Sequence, residues 1–315
     1  MTSVLIIYFS QTGQLLRVVD SIALPLEEAA DIHIDRRELR PQNDYPFPWP
    51  FFDFFDQFPE AVYLDPPALQ PLLLPEGRRY DLVILAYTVW YLSPCPPMVA
   101  FLKSPAGREV LHDAPVITVI ACRNMWLQAQ EQMKLLLQEA GAHLIDNIVL
   151  TDRGSALKTL VTTPRWMFTG RREPFWGIFP RAGVTDEDIV AASRFGRAIV
   201  QVLRAGLPAD HGPILTGLRA AVVDQRLIAS EKIGRRSFLI WGKLLRAVGR
   251  QGDPKRKPVI VIYSLFLFLM LATVVPITIV LRTLLLPLRK REVAQQSRYF
   301  EKPSGSADFR MEEFS

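Results

Sequence analysis

Cysteine is scarce in this chain. Two occur among 315 residues, Cys95 and Cys122, far apart and outside any C-x-x-C. That argues against a disulfide framework and a Cys-ligated zinc site, and suits a reducing compartment. Both read as small buried apolar residues. Histidine is equally thin: His33, His112, His143 and His211 are scattered and form no ligand pattern, so no metal is expected. Met1-Thr2-Ser3 leads straight into a strand-like run, so no cleavable leader is expected. The nucleotide loop G-x-x-x-x-G-K-[ST] is missing, and so are the aromatic-interleaved basic motifs of nucleic-acid binders. Acidic excess is absent too: the net charge is +5, with Lys and Arg gathered in the last third. What is abundant is apolar surface, at 49% of residues, and much of it lies near the C-terminus.

The most informative stretch is the first. Val4-Leu-Ile-Ile-Tyr-Phe9 is a buried β-run that stops at Ser10-Gln11-Thr12-Gly13-Gln14. A helical period then starts at once, with Leu15, Leu16, Val18, Val19 and Ile22 apolar. Strand, tight loop and helix N-terminus together offer hydroxyls, backbone N–H groups and partial positive charge to an anion. The plainer alternative is an ordinary glycine turn.

Further strand-like runs follow. Ile32 and Ile34 alternate with polar residues, as on an edge strand. Tyr80 to Ala86 is apolar on both faces and so central in a parallel sheet. It opens into Tyr87-Thr88-Val89-Trp90-Tyr91, ahead of a short helix from Met98 to Lys103. Ala114 to Cys122 is the fourth strand, followed by Arg123-Asn124-Met125-Trp126 and a helix from Leu127 to Ala140. Ala142 to Leu150 is the fifth. Thr185 then caps a helix running to Gly206. Strands alternating with helices imply a doubly wound parallel five-stranded sheet, α/β in class.

Two inserts interrupt the alternation, 41–79 and 154–183, both rich in proline and aromatics. Their prolines point to extended or turn backbone rather than regular structure. Trp49, Phe51, Phe52 and Trp166 are candidate walls of an apolar substrate pocket. The alternative is that these rings pack back as a subcore.

The loop at 10–15 resembles the phosphate-binding loop of the flavodoxin family, [ST]-x-[ST]-G-x-[ST]. Ser10, Thr12 and Gly13 match, and Leu15 stands where the family carries a last hydroxyl. Thr88, Trp90, Tyr91 and Phe101-Leu102-Lys103 fit the family's T-x-x-[YW] loop and following helix. The resemblance implies strand order 2-1-3-4-5 and FMN at the carboxyl ends of strands one, three and four. It implies cofactor contacts from Ser10, Gln11, Thr12, Gly13, Gln14, Leu15, Thr88, Val89, Trp90, Tyr91, Arg123, Asn124, Met125 and Trp126. Arg123 beside the ring would stabilise anionic reduced flavin; a surface Arg or a salt bridge is the alternative. Arg123 and Tyr91 are the candidate catalytic residues. This domain is expected to span residues 1–207.

From 208 to 257 apolar and basic residues alternate at helical spacing, as in helices lying on anionic membrane surfaces or paired on a domain. Val259 to Leu281 carries no charge, so 258–291 is expected to span or enter a membrane, and 292–315 to be disordered. These features point to the inner membrane, with the flavodoxin-like domain in the cytoplasm.

The whole pattern, including Pro46-Phe-Pro-Trp-Pro-Phe-Phe52, Ala121-Cys-Arg-Asn-Met-Trp126 and Thr163-Pro-Arg-Trp166, is similar to flavodoxin-like proteins encoded with bacterial dialkylresorcinol and aryl-lipid biosynthesis genes. That resemblance implies an aromatase: an FMN-dependent oxidoreductase turning a dialkylcyclohexanedione into a resorcinol. Its implied partners are a hydrophobic small-molecule substrate, membrane lipid, a ketosynthase and an acyl carrier protein; a homo-oligomer stays open. The alternatives are a membrane-tethered NAD(P)H:quinone reductase and a non-catalytic scaffold for the ketosynthase.

Overall fold

The computed structural model describes residues 1–75, 77–208, 212–273 and 290–314. Its strands are β1 (Thr2–Tyr8), β2 (Ile32–Glu38), β3 (Leu82–Tyr87), β4 (Val89–Trp90), β5 (Ser93–Pro94), β6 (Pro115–Cys122) and β7 (His143–Thr151). Five form one sheet in the order β2-β1-β3-β6-β7, and every neighbouring pair is parallel. This is the expected flavodoxin-like order, because β4 and β5 form a separate two-stranded hairpin. The buried runs of β1, β3 and β6 occupy the centre, since helices cover both faces there.

On one face lie α1 (Gln14–Glu27), α7 (Asp186–Ala191) and α8 (Ser193–Ala205), with Leu15, Val18, Ile22, Phe195 and Ile199 buried beneath them. Thr185 caps α7 as expected, accepting from the Asp188 amide at 3.1 Å. Gly196 lets α8 approach closely: a Cβ there would sit 2.1 Å from the Ile22 carbonyl oxygen. The other face carries α3 (Pro96–Lys103), α4 (Pro105–Leu111) and α5 (Leu127–Glu139) over Met98, Phe101, Met133 and Leu136.

Both inserts are more regular than their prolines suggest. The first contains α2 (Phe51–Val62). Pro46, Pro48 and Pro50 all precede it, Pro50 as N-cap, where a missing N–H costs nothing. The second contains α6 (Ala156–Thr169), capped by Ser155 and ended by Gly170 at φ +73°.

The basic region is helical only in part. Residues 214–223 run along the outer edge of β7, where the Val149 amide donates to the Ala220 carbonyl at 2.8 Å. α9 (Ile228–Val248) and α10 (Arg256–Ala272) then pack on α2 through Phe55, Phe58, Leu245, Ile260 and Tyr263. Arg256, 1% exposed, pairs there with Asp56 at 3.1 Å and Glu60 at 2.7 Å. Among the described residues no helix is long and apolar enough to cross a membrane. Residues 274–289, which carry the rest of the uncharged run and Pro276, lie outside the described residues.

The tail is ordered, against expectation. It forms α11 (Lys290–Glu301) and a 3₁₀ turn at Met311–Phe314. Phe300 and Phe314 are buried, and the amides of Arg219 and Ala221 donate to Ala307 and Gly305. Two aromatic anchors and a run of backbone pairing outweigh the polar composition.

Candidate functional site

The chain reverses direction between β1 and β3, and the crevice at such a switch point opens at the carboxyl ends of the strands. Loops 10–13, 88–95 and 123–126 converge there, since they follow β1, β3 and β6. Gly13 sits at φ +77° with nothing within 4 Å of where its Cβ would be. This left-handed turn starts α1 and leaves the amides of Gln11 to Leu15 without an acceptor among the described residues. The Ser10 hydroxyl accepts from the Leu16 amide at 3.2 Å, and Thr12 is exposed. The loop is an anion cradle with the helix dipole behind it.

Two side chains of that loop turn away. Leu15, 1% exposed, belongs to the core under α1. Gln14 is buried, its Oε1 accepting from the Val184 amide at 2.8 Å. Only their amides face the cradle side, because the first helical turn aims alternate side chains into the sheet.

The second loop is a tight hairpin. Tyr91 and Leu92 take φ of +50° and +61°, the paired left-handed geometry of a two-residue turn, without the usual Asn-Gly. Gln132 Nε2 supports it, donating to the Leu92 carbonyl at 2.9 Å. The hairpin places Trp90 against Phe9 (6.1 Å between centroids), Tyr45 (4.8 Å) and Trp49 (5.4 Å). Val89 pairs with Pro94. Thr88 Oγ1 is buried beside the Cys95 thiol. Tyr91 is a correction: its ring lies among Phe54, Phe58 and Phe238, its hydroxyl donates to the Phe54 carbonyl, and burial holds its pKa well above the ordinary phenol value. It is no proton acceptor. Tyr87 is equally committed, donating to Gln130 Oε1 at 2.7 Å.

In the third loop, Arg123 Nε donates to Thr159 Oγ1 of α6 at 2.9 Å. Burial lowers the Arg123 pKa to about 10, so it stays charged at neutral pH. Asn124 Oδ1 is buried and unpaired, and Met125 is half-buried. Trp126 is a second correction: at 1% exposure it is core beneath α5.

The inserts fold over these loops. Gln11 Nε2 donates to the Pro46 carbonyl at 2.9 Å and its Oε1 accepts from Trp49 Nε1 at 3.3 Å. Trp49 therefore stands at the loop. Trp166 does as well, since its ring edge and Gln14 Oε1 both press on Gly183, at φ +92°. Phe51 and Phe52 do not. They lie half outside on α2, Phe52 beneath Lys257 and Phe51 beside Phe168.

Sequence reading missed three groups at this edge. Thr159 and Thr162 of α6 are fully buried. Glu231 of α9 is buried too, and one of its oxygens accepts from the Gln128 amide at 2.9 Å at the start of α5. Burial pushes the Glu231 pKa up to about 8, against the pull of the Gln128, Leu127 and Trp126 amides. Its signal was visible: it is the lone acid in a basic helix. Open cavities of about 520 Å³, beside Phe101 and Ser104, and about 460 Å³, beside Arg78 and Arg108, touch none of these loops.

No family model and no curated protein matches the chain. Solved structures do. A flavoprotein in complex with FMN from Lactobacillus acidophilus NCFM is 17% identical at a TM-score of 0.39, over 47% of this chain and 93% of that one. A putative flavoprotein from Bacteroides uniformis ATCC 8492 is 17% identical at 0.37, over 53% and 97%. Oxidised Flavodoxin 1 from Bacillus cereus is 17% identical at 0.34, over 64% and 98%.

Proposed function

We propose that this chain binds FMN at the carboxyl edge of its sheet and uses it to oxidise a hydrophobic ring substrate. The observation that carries the reading is one convergence. Unpaired amides from Gln11 to Leu15 and the buried, unpaired Asn124 Oδ1 end at the same strand termini as the Arg123 cation, with the buried Thr88 hydroxyl beside them. Buried polar atoms without partners are costly, and a polar ligand relieves that cost. These groups fit a flat molecule with a phosphate at one end and, at the other, an edge that carries an N–H for Asn124 Oδ1.

FMN, when bound, supplies a two-electron acceptor. Ser10 to Leu15 would hold its phosphate, and Thr88 and Asn124 would meet its ring. Arg123 supplies fixed positive charge where negative charge develops. Trp49, Trp90 and Tyr45 exclude water from that edge. The substrate class we assign is a dialkylcyclohexanedione, oxidised to the resorcinol by loss of two hydrogens. The sequence motifs support that choice, as do the aromatic inserts that shelter apolar chains. Outward Ile262, Leu265 and Leu269 on α10 support contact with membrane lipid.

The test is direct. Protein purified in mild detergent should be yellow and release FMN on heating. Thr12→Ala should weaken FMN retention about fivefold, without the loss of helix capping that Ser10→Ala brings. A colourless protein that also refuses added FMN would sink the reading. Loss of the cyclohexanedione, rather than nicotinamide oxidation with a quinone, would select the aromatase.

A further inference from the structure

We propose that the second insert is the other wall of this site, with Thr162 and Arg172 binding the ligand and Arg172 meeting its phosphate; this rests on the flavin reading above. The first observation is the polarity of α6. It buries Thr159 and Thr162, at 0% and 1% exposure, and exposes Leu157 and Val161 at 52% and 43%. A helix packed on an apolar core shows the reverse. What the first two turns of α6 face is therefore polar, while Phe168 in its last turn packs on Phe51 and Phe54.

Its position agrees. α6 starts beside Arg123, through Thr159, and ends at the first insert, where the Trp49 amide donates to the Met167 carbonyl at 2.8 Å. Between them Trp166 reaches Gly183 and Gln14 at the start of α1. The helix thus crosses the carboxyl edge from β6 to β1. Thr159 is satisfied by Arg123, but Thr162 Oγ1 is buried with no partner. A valine has the same shape without that desolvation cost, so an unpaired hydroxyl here marks a missing acceptor or donor.

Arg172 carries the sign of the ligand. Its guanidinium lies 5.1 Å from the Trp166 ring centroid, and its Nε and Nη2 are buried without partners. Arg17 and Arg181 are close by, against Asp186 and the exposed Glu173. Asp186 already pairs with both Arg17 and Arg181. Positive charge is left over beside the unpaired amides at the start of α1, and a dianionic phosphate matches it better than a neutral group.

The experiment titrates apo-protein with FMN and with riboflavin, which lacks the phosphate, following flavin fluorescence. Arg172→Gln should weaken FMN binding about tenfold or more and leave riboflavin within about twofold. Thr162→Val should weaken both about fivefold. Inorganic phosphate should compete with FMN, and added salt should shrink the Arg172 effect. Circular dichroism checks folding, and Arg172→Lys, which keeps the charge, should restore most FMN affinity if Arg172→Gln is damaged. Wild-type binding of FMN with Arg172→Gln unchanged, or with equal losses for both flavins, would overturn this proposal alone. A wild-type chain that takes up neither flavin would overturn the functional reading and this proposal with it.

Discussion

The two inserts share a composition and fold in opposite senses. α2 turns Phe55, Phe58 and Val62 inward against α9 and α10, and its acids Asp56 and Glu60 meet Arg256 at the edge. α6 turns threonines inward and leaves Leu157 and Val161 outside. One helix seals an apolar subcore; the other faces a polar crevice. Proline and aromatic content does not distinguish them. What distinguishes them is the partner each meets: α9 and α10 for α2, and for the threonines of α6 the ligand we propose.

The widest test of that contrast is Phe58→Ala. Phe58 is 0% exposed and touches rings on three elements, so its loss should cost about 3–5 kcal/mol in urea unfolding. A loss below about 1 kcal/mol would break the claim that α2, α9 and α10 form a packed core.

Glu231 extends the comparison to a buried polar group whose partners are all protein. Its pKa is pushed up to about 8 in the folded chain, against 4.5 for a free glutamate carboxyl, so the folded state holds the extra proton between those values. Stability contributed by this residue is therefore full below about pH 4.5, falls as pH rises, and is lost above about pH 8. Glu231→Gln should flatten that slope, read as urea midpoints at about pH 5 and about pH 8.5. Asp146, raised to about 6 by burial, leaves a smaller slope of the same sign. An unchanged slope in the variant would place Glu231 in contact with water.

Thr159→Val should cost about 1.5–3 kcal/mol, because Arg123 Nε loses its acceptor. Thr162→Val should cost nothing measurable in the apo-protein, since its hydroxyl has no partner there to lose. Val161→Lys, on the outer face of α6, should likewise stay within about 0.5 kcal/mol.

Much of the fold was legible in the residues. β1, β3 and β6 are near-continuous apolar runs, and only the centre of a parallel sheet accepts such runs. Ser10 to Gly13 stood out because a strand ends there in small polar residues just before a helix, with an ordinary glycine turn as the other reading. Trp49 and Trp166 were found by type. Phe51, Phe52, Trp126 and Tyr91 were misplaced, and the side chains of Gln14 and Leu15 turn away while their amides stay at the loop, because sequence position gives proximity to a loop and not the direction of a side chain. Thr162 and Arg172 went unseen for a related reason: they come from an insert with no strand to anchor its place.

The chain by itself determined the alternation of strands and helices and the loop that starts α1, because these rest on local periodicity and glycine geometry, whereas the strand order followed only from the resemblance to flavodoxins. Tertiary structure decided the rest. It ordered the polar tail, set the basic helix α9 on α2, and chose which face of α6 looks inward. Those outcomes depend on contacts between residues far apart in the chain. No local pattern encodes which surface will be on the far side.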